Sequence, residues 1–269
     1  MKHKLFARLA NGLRLVFVLS ALCLAGCHPS TPMAPPVQRP LLVALTIPGV
    51  VLYYPFNGTA QDVSGKNVNG EVQGAGLTPD RFGVANRAYY FDGVDDSIYF
   101  DASNMPLGSS ARTLSAWVKA ESYPPAPANL KTLGSRATVI GWGLDGSKTI
   151  SEMQIVDRHL QFHDYLMDRT GKEILETGKW YHLVIVYTEQ SVQLYVNGNK
   201  EIFESSPLNT LVGKGRIGAF PDQTATSQFF PQGYDLSYFH GSLDDISVYD
   251  QALSEAWIQA LYTEGGWGK

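Results

Sequence analysis

Two carboxylate clusters, Asp92/Asp95/Asp96 and Asp244/Asp245, together with a few histidines and aromatic residues, are the parts of this 269-residue chain with chemistry to offer. Clustered aspartates in glycine-rich loops provide oxygens of the kind Ca²⁺ takes, about six to eight of them at roughly 2.3–2.6 Å. The same residues also serve as turn formers that bond their own backbone. Retaining glycoside hydrolysis needs two carboxyls about 5–5.5 Å apart, which one strand supplies only when its acids alternate. In Ser151-Glu152-Met153-Gln154-Ile155-Val156-Asp157, Glu152 stands alone, and Gln154 occupies the place where a second acid would face the same side. His159 and His163 are four apart, but the segment reads as strand and turn, where that spacing separates them by more than about 10 Å, so zinc is not expected. His182, within Trp180-Tyr181-His182, reads as a satisfied structural residue. Sugar recognition needs aromatic faces flanked by polar groups. Trp142, His163, Tyr165 and Tyr234 are the aromatic candidates, with Arg158, Asp164 and Gln232 as polar partners. Trp117 and Trp180 read as core. No Gly-x-Ser-x-Gly elbow and no phosphate-binding glycine loop is present.

The first residues are a targeting segment rather than structure. Lys2, Lys4, Arg8 and Arg14 form a basic start, and Leu15 to Leu24 is an apolar run too short for a comfortable membrane span. Leu24-Ala25-Gly26-Cys27 resembles the bacterial lipobox, which implies cleavage before Cys27 and acylation of that cysteine. His28, rather than an aspartate, follows it, and by resemblance to enterobacterial sorting this points to the outer membrane. The expected location is therefore the bacterial cell envelope, with the protein held to the membrane through the lipid anchor. Removing Met1 to Gly26 takes four basic and no acidic residues, moving the formal charge from −4 to −8. A mildly acidic surface with no Lys/Arg cluster argues against nucleic acid as a partner. Of the two cysteines, only Cys27 would remain, so no disulfide is expected and a core must hold the fold.

From His28 to Pro40 the chain is proline-rich and cannot build a core, so it reads as an extended tether. Beyond it, short β-prone segments alternate with Gly, Asn and Asp turns, and helical periodicity is absent before Leu253. Tyr181 to Tyr187 and Ser191 to Val196 predict a hairpin across Thr188-Glu189-Gln190, and Asn197-Gly198 predicts a second tight reversal. Ser254 caps a short helix with Trp257, Ile258, Leu261 and Tyr262 on one stripe, expected to pack on the sandwich edge. Two insertions, 122–136 and 220–240, break the spacing, and the second is aromatic enough to suggest an ordered surface.

Five stretches carry a family resemblance: Tyr53-Tyr54-Pro55-Phe56-Asn57-Gly58; Tyr90-Phe91-Asp92-Gly93-Val94-Asp95-Asp96; Leu114-Ser115-Ala116-Trp117-Val118; Trp180 to Val184 with Leu194-Tyr195-Val196-Asn197-Gly198; and Gly241 to Tyr249. In this order they closely resemble the LamG-like, concanavalin A-like lectin/glucanase superfamily. The resemblance implies an all-β fold, a two-sheet antiparallel jelly-roll sandwich with a short C-terminal helix. The expected organisation is a lipoprotein signal peptide at 1–26, a lipidated Cys and Pro-rich tether at 27–45, and the jelly-roll domain at 46–269. It also implies a structural Ca²⁺ held by Asn57, Asp92, Asp95 and Asp244. Laminarinase-type members carry Glu-x-Asp-x-x-Glu, which this chain lacks, so the expectation is a non-catalytic surface lipoprotein that binds carbohydrate. A glycoside hydrolase of the glucanase type, with acids from separate strands, stands as the alternative. So does an adhesion or envelope component whose partner is an envelope or extracellular protein.

Overall fold

The structure, a computed structural model, describes residues 43–124, 134–144, 148–163, 168–205, 207–221 and 237–268. Cys27, Asp164, Tyr165, Gln232 and Tyr234 lie outside the described residues, as does most of each insertion.

Among the described residues, one helical turn, α1 (Val43–Thr46), precedes fifteen strands. These are β1 (Val50–Tyr54), β2 (Glu71–Gln73), β3 (Gly76–Thr78), β4 (Ala88–Asp92), β5 (Ser97–Phe100), β6 (Arg112–Ser122), β7 (Arg136–Gly143) and β8 (Ile150–Val156). There follow β9 (His159–His163), β10 (Arg169–Thr170), β11 (Tyr181–Tyr187), β12 (Ser191–Val196), β13 (Asn199–Ser205), β14 (Lys214–Ile217) and β15 (His240–Tyr249), and then α2 (Glu255–Tyr262) with a 3-10 turn at Glu264–Gly266. No helix among the described residues is long and apolar enough to cross a membrane.

The strands form two antiparallel sheets, the sandwich that the motifs imply. The first runs β13-β12-β11-β6-β15-β4-β3, and β1 takes the remaining stretch of the long strand β15. The second runs β10-β9-β8-β7-β14-β5-β2. Alternation sends one set of side chains from each sheet into a shared core: Leu114, Ala116, Val118, Leu183 and Ile185 from the first, and Ile98, Ile140, Trp142, Met153, Ile155, Leu160 and Phe162 from the second. The predicted hairpin is present, with Leu183 opposite Val196 and Tyr187 opposite Val192. Asn197 and Gly198 both have positive φ (51° and 76°), the geometry of a two-residue turn matched to strand twist.

The outer face of the first sheet is covered, with an apolar part and a buried polar part that includes Ser115, His182 and Asp244. Tyr53, Val184, Val186, Tyr195 and Tyr249 pack there against Ala44, Ile47 and, from α2, Ile258 and Leu261. Ser254 caps α2 through the Trp257 amide as expected, but the helix lies on this face rather than on the edge, and Trp257 is exposed instead of joining the buried stripe. Trp117 is buried, though on this outer face, with Arg81 4.5 Å from its ring and Tyr262 and Trp267 against it. Trp180 is a correction: it is only half-buried and sits 5.7 Å from Lys119 Nζ, outside the core. His182 is buried, bonded through Nε2 to Ser115 Oγ at 2.8 Å, and pushed down to about 3 chiefly by burial, so it is neutral; its buried Nδ1 has no partner among the described residues, so only one of its nitrogens is satisfied.

Candidate functional site

On the outer face of the second sheet, alternation places rows of long polar side chains that bond one another across the strands. Two cross-strand rows stand out. In the first, Thr138, Gln154, Gln161 and Thr170 are opposite one another across β7, β8, β9 and β10. Gln154 Nε2 donates to Gln161 Oε1 at 2.8 Å, and Gln161 Nε2 donates to Thr170 Oγ1 at 2.8 Å, a ladder of amides and a hydroxyl. In the second row, Glu71, Tyr99, Arg216, Gly141, Glu152 and His163 follow in register across β2, β5, β14, β7, β8 and β9.

Both ends of the second insertion lie on this face. Phe220 carbonyl accepts from Arg216 Nη1 at 3.3 Å, the Thr138 amide donates to Ser237 carbonyl at 2.8 Å, and Pro221 lies over Gly141. Many polar groups on this face are buried: Thr138, Glu152, Gln154, Gln161, His163 and Arg216 are each less than 7% exposed. The face opens to solvent where Tyr99 is half-buried and Glu71 exposed, and again beyond Gln161, where Thr170 is exposed.

Charge is distributed unevenly along it. Burial raises the Glu152 carboxyl, only partly offset by His163, the Thr138 hydroxyl and Arg136, so the group favours its protonated form. Its Oε1 accepts from Thr138 Oγ1 at 2.5 Å, while Oε2, buried, has no partner among the described residues. Asp168 behaves oppositely. Burial would raise it too, but the His163 Nδ1 bond at 2.8 Å and Arg136 at 3.3 Å outweigh burial and hold it below the usual carboxylate range. Arg216 stacks on Tyr99 at 4.0 Å and is pushed down to about 10 by burial, so it stays charged at neutral pH.

Of the sequence candidates for ligand contact, His163 belongs to this face. Trp142 is a correction: it is wholly buried between the sheets, its Nε1 donating to Pro106 carbonyl at 3.0 Å, and it offers no ring to a sugar. Arg158 is exposed in the β8–β9 turn, at the opposite end of β9 from His163, with its Nε bonded to Leu175 carbonyl. Tyr99, Arg136, Thr138, Gln161, Asp168, Thr170 and Arg216 were not read as candidates from sequence. The signal available was the polar half of alternating strands, as in Ile150-Ser151-Glu152-Met153-Gln154, which sequence alone assigns equally well to open solvent.

The metal candidates do not converge as expected. Asp92, Asp95 and Asp96 each place an oxygen within 4.8 Å of the others at the turn after β4. Asp244 is elsewhere: wholly buried, it pairs with Arg81 Nη1 at 3.0 Å, and Asp245 pairs with the same nitrogen at 2.5 Å. It is neutralised by a guanidinium and is not a ligand of the same ion. Asn57 is exposed in the turn after β1. At the turn itself, Asp92 Oδ1 accepts from the Val94 amide and Asp96 Oδ2 from the Asp92 amide, so part of the cluster's capacity serves the turn. Burial, added to by the Asp92 and Asp95 charges and opposed by the Asp92 amide, raises the Asp96 carboxyl.

A family model, Laminin_G_3 of the concanavalin A-like lectin/glucanases superfamily, matches residues 91–259, and the chain belongs to this family. No curated protein sequence matches it. Among solved structures, domain 4 of AbnA, a GH43 extracellular arabinanase from Geobacillus stearothermophilus in complex with arabinotriose, is similar with a TM-score of 0.58 at 17% identity, over 80% of this chain and 98% of that one. The binding domain of Paraclostridial Mosquitocidal Protein 1 is similar with a TM-score of 0.61 at 16% identity, over 80% of this chain and 52% of that one. The botulinum neurotoxin serotype D ligand-binding domain in complex with N-acetylneuraminic acid gives 0.58 at 15%, over 81% and 51%. The chain thus spans about half the length of these toxin domains, and at such identities the likeness establishes the fold.

Proposed function

We propose that this chain is a non-catalytic, glycan-binding lipoprotein of the bacterial cell envelope that binds carbohydrate on the outer face of its second sheet. The observation that carries this reading is the Gln154–Gln161–Thr170 ladder beside Tyr99, Arg216 and Glu152: amide, hydroxyl and guanidinium groups on rigid strands, next to a half-buried aromatic ring. Such a surface offers donors and acceptors for sugar hydroxyls and one apolar patch for a pyranose face. Structural neighbours solved with arabinotriose and N-acetylneuraminic acid support it by analogy of fold. The anchor is Cys27, and the tether is the proline-rich stretch after it. Incorporation of labelled palmitate, abolished by Cys27→Ser, is the expected result; labelling that survives the substitution contradicts the anchor.

A calcium ion fits the Asp92/Asp95/Asp96 turn by donor chemistry. The set is all oxygen, three carboxylates crowd one another, and a divalent cation would relieve that repulsion. Its role would be to stiffen the turn at the end of β4. A glycan array probed with and without Ca²⁺ tests both readings. Binding that survives chelation leaves the glycan face standing and removes calcium from it; silence from folded protein contradicts the glycan reading.

One observation favours a second reading. Glu152 and Asp168 have environments that push their carboxyls in opposite directions, as an acid and its charged companion require. Turnover of a polysaccharide panel, abolished in Glu152→Gln, would establish a hydrolase; its absence at high enzyme concentration would dismiss one.

A further inference from the structure

Exposed aliphatic side chains scattered singly are ordinary on a protein surface, whereas several held together on ordered loops mark a contact site. Leu144, Leu211 and Val212 are 40%, 41% and 59% exposed, and they stand together. The amides of Leu144 and Leu211 both donate to Thr149 carbonyl, at 3.3 and 3.0 Å, which brings the loop after β7 against the loop before β14. A Cβ at Gly213 would strike the Gly143 carbonyl, so the two backbones also touch on the far side of Val212. The Asn209 amide donates to Lys148 carbonyl at 2.8 Å, and Thr210 bridges to Gly108 on a third loop. Residues 145–147 lie outside the described residues. The tip is aliphatic, and Lys148 and the exposed Lys214 stand beside it, Lys214 opposite Gly143 in register.

This tip belongs to the end of the sandwich at which the chain enters β1. Arg112 donates to Thr210 Oγ1 at 2.9 Å and to Gly108 carbonyl at 2.8 Å; its neighbour Thr113 is opposite Tyr249, and Tyr249 is opposite Val50 at the start of β1. The other end of β15 is acidic, because His240 stands opposite Asp92, the first of the Asp92/Asp95/Asp96 cluster. One end of the domain is therefore apolar and flanked by lysines, and the other carries carboxylates. An anionic lipid surface attracts the first and repels the second. Val43 follows Cys27 by sixteen residues, about 50 Å of chain at the polyproline rise of about 3.1 Å per residue. A domain tethered so closely to a bilayer meets it at high effective concentration, so even a weak contact is populated.

Resting on the lipid-anchor reading, we propose that this tip is a second membrane contact. Leu144, Leu211 and Val212 enter the boundary between headgroups and acyl chains of the bilayer that holds Cys27, while Lys148 and Lys214 meet anionic headgroups. The strands run from this end to the other, so contact here stands both sheets upright and leaves the outer face of the second sheet clear of the lipid.

The test is fluorescence of the intact acylated protein in vesicles of phosphatidylethanolamine with phosphatidylglycerol. An environment-sensitive dye is attached to the thiol of the Val212→Cys protein and, separately, of the Val94→Cys protein, Val94 being 67% exposed at the acidic end. On the anchor reading neither natural cysteine offers a free thiol. The expected result is a blue shift at position 212 and quenching by nitroxide-bearing lipid about threefold or more stronger than at position 94. Lys148→Gln with Lys214→Gln lowers that quenching about twofold or more. Leu144→Cys, on the other loop, carries the test where Val212→Cys does not fold. Equal quenching at the two positions, in protein that floats with the vesicles, overturns the tip contact and leaves the anchor standing. A blue shift at 212 without quenching by nitroxide lipid assigns the tip to a protein surface, a second copy of this chain included, and overturns it as well. Quenching unchanged by the lysine substitutions overturns the part given to the headgroups. Protein that fails to float with the vesicles overturns this inference together with the anchor reading it rests on.

Discussion

Glu152 illustrates how a single residue reports on its surroundings. From an ordinary value near 4.5, burial raises its carboxyl, so the folded state holds a proton that the unfolded chain has already lost. Where the folded state binds more protons, stability falls as pH rises. Its contribution is therefore intact below the unfolded value and is lost progressively as pH climbs towards the folded one, at about 1.4 kcal/mol for each unit of upward shift. Glu152→Gln keeps the shape and the Thr138 contact without the titration. Melts of both proteins from pH 4 to pH 8 should converge at the acid end, with the variant the more stable at pH 8. A wild-type advantage that grows with pH would mean that Glu152 is ionised in the fold. Trp142 teaches the converse lesson at the same scale. Its type suggested a sugar platform, yet its position on β7 turns it into the core, and the neighbouring residues Gly141 and Gly143 face the other way.

Whole elements were far more legible than the faces they present. Tyr181 to Val196 folds as the hairpin its β-branched and aromatic runs predict, and Ser254 begins the helix that its capping preference predicts, because these signals are local. Asn197-Gly198 gives a quantitative check. Gly198 has a φ of 76°, a Cβ there would lie 2.5 Å from Gln259 Nε2, and Gln259 Nε2 itself donates to Gly198 carbonyl, which ties α2 to the β12–β13 turn. Gly198→Ala should cost about 1–2 kcal/mol from backbone strain and weaken this link, seen as a lowered midpoint in urea. An unchanged midpoint would contradict the turn geometry. What was not legible is long-range. Asp244 looked like a ligand because it stands in an acidic pair within a motif that resembles the family's, and nothing near it in sequence shows that Arg81, 163 residues away, neutralises it. Likewise Arg216, on the four-residue strand β14, reaches the site only because β14 pairs with both β5 and β7. A shift of one residue in strand register would exchange the polar rows for the core set, so side-chain type alone could not say which face carries them.

At the scale of the molecule, the two sheets share a core but have opposite outer surfaces. The first is sealed by α1 and α2 over Tyr53, Val184, Val186, Tyr195 and Tyr249, and the buried Arg81–Asp244–Asp245 cluster lies on the same side under the chain's C-terminal aromatics. The second carries polar ladders between the two ends of an insertion, whereas buried polar atoms without a partner among the described residues occur on both faces, Arg81 Nε and His182 Nδ1 on the first and Glu152 Oε2 and Arg216 Nε on the second. What sets the second face apart is the row of amides and a hydroxyl joined across its strands, where apolar side chains would be at least as stable in a sandwich serving only as a spacer. The division of labour that follows is a sealed side for stability and a polar side for recognition. The most direct measurement of this claim is a comparative titration of the array's best glycan against wild-type protein, Gln154→Ala/Gln161→Ala on the second sheet, and Trp180→Ala beside the first. The account predicts that the amide-ladder variant loses affinity by about tenfold or more while Trp180→Ala binds as wild type. Undiminished binding in the folded ladder variant, or loss only in Trp180→Ala, would contradict it.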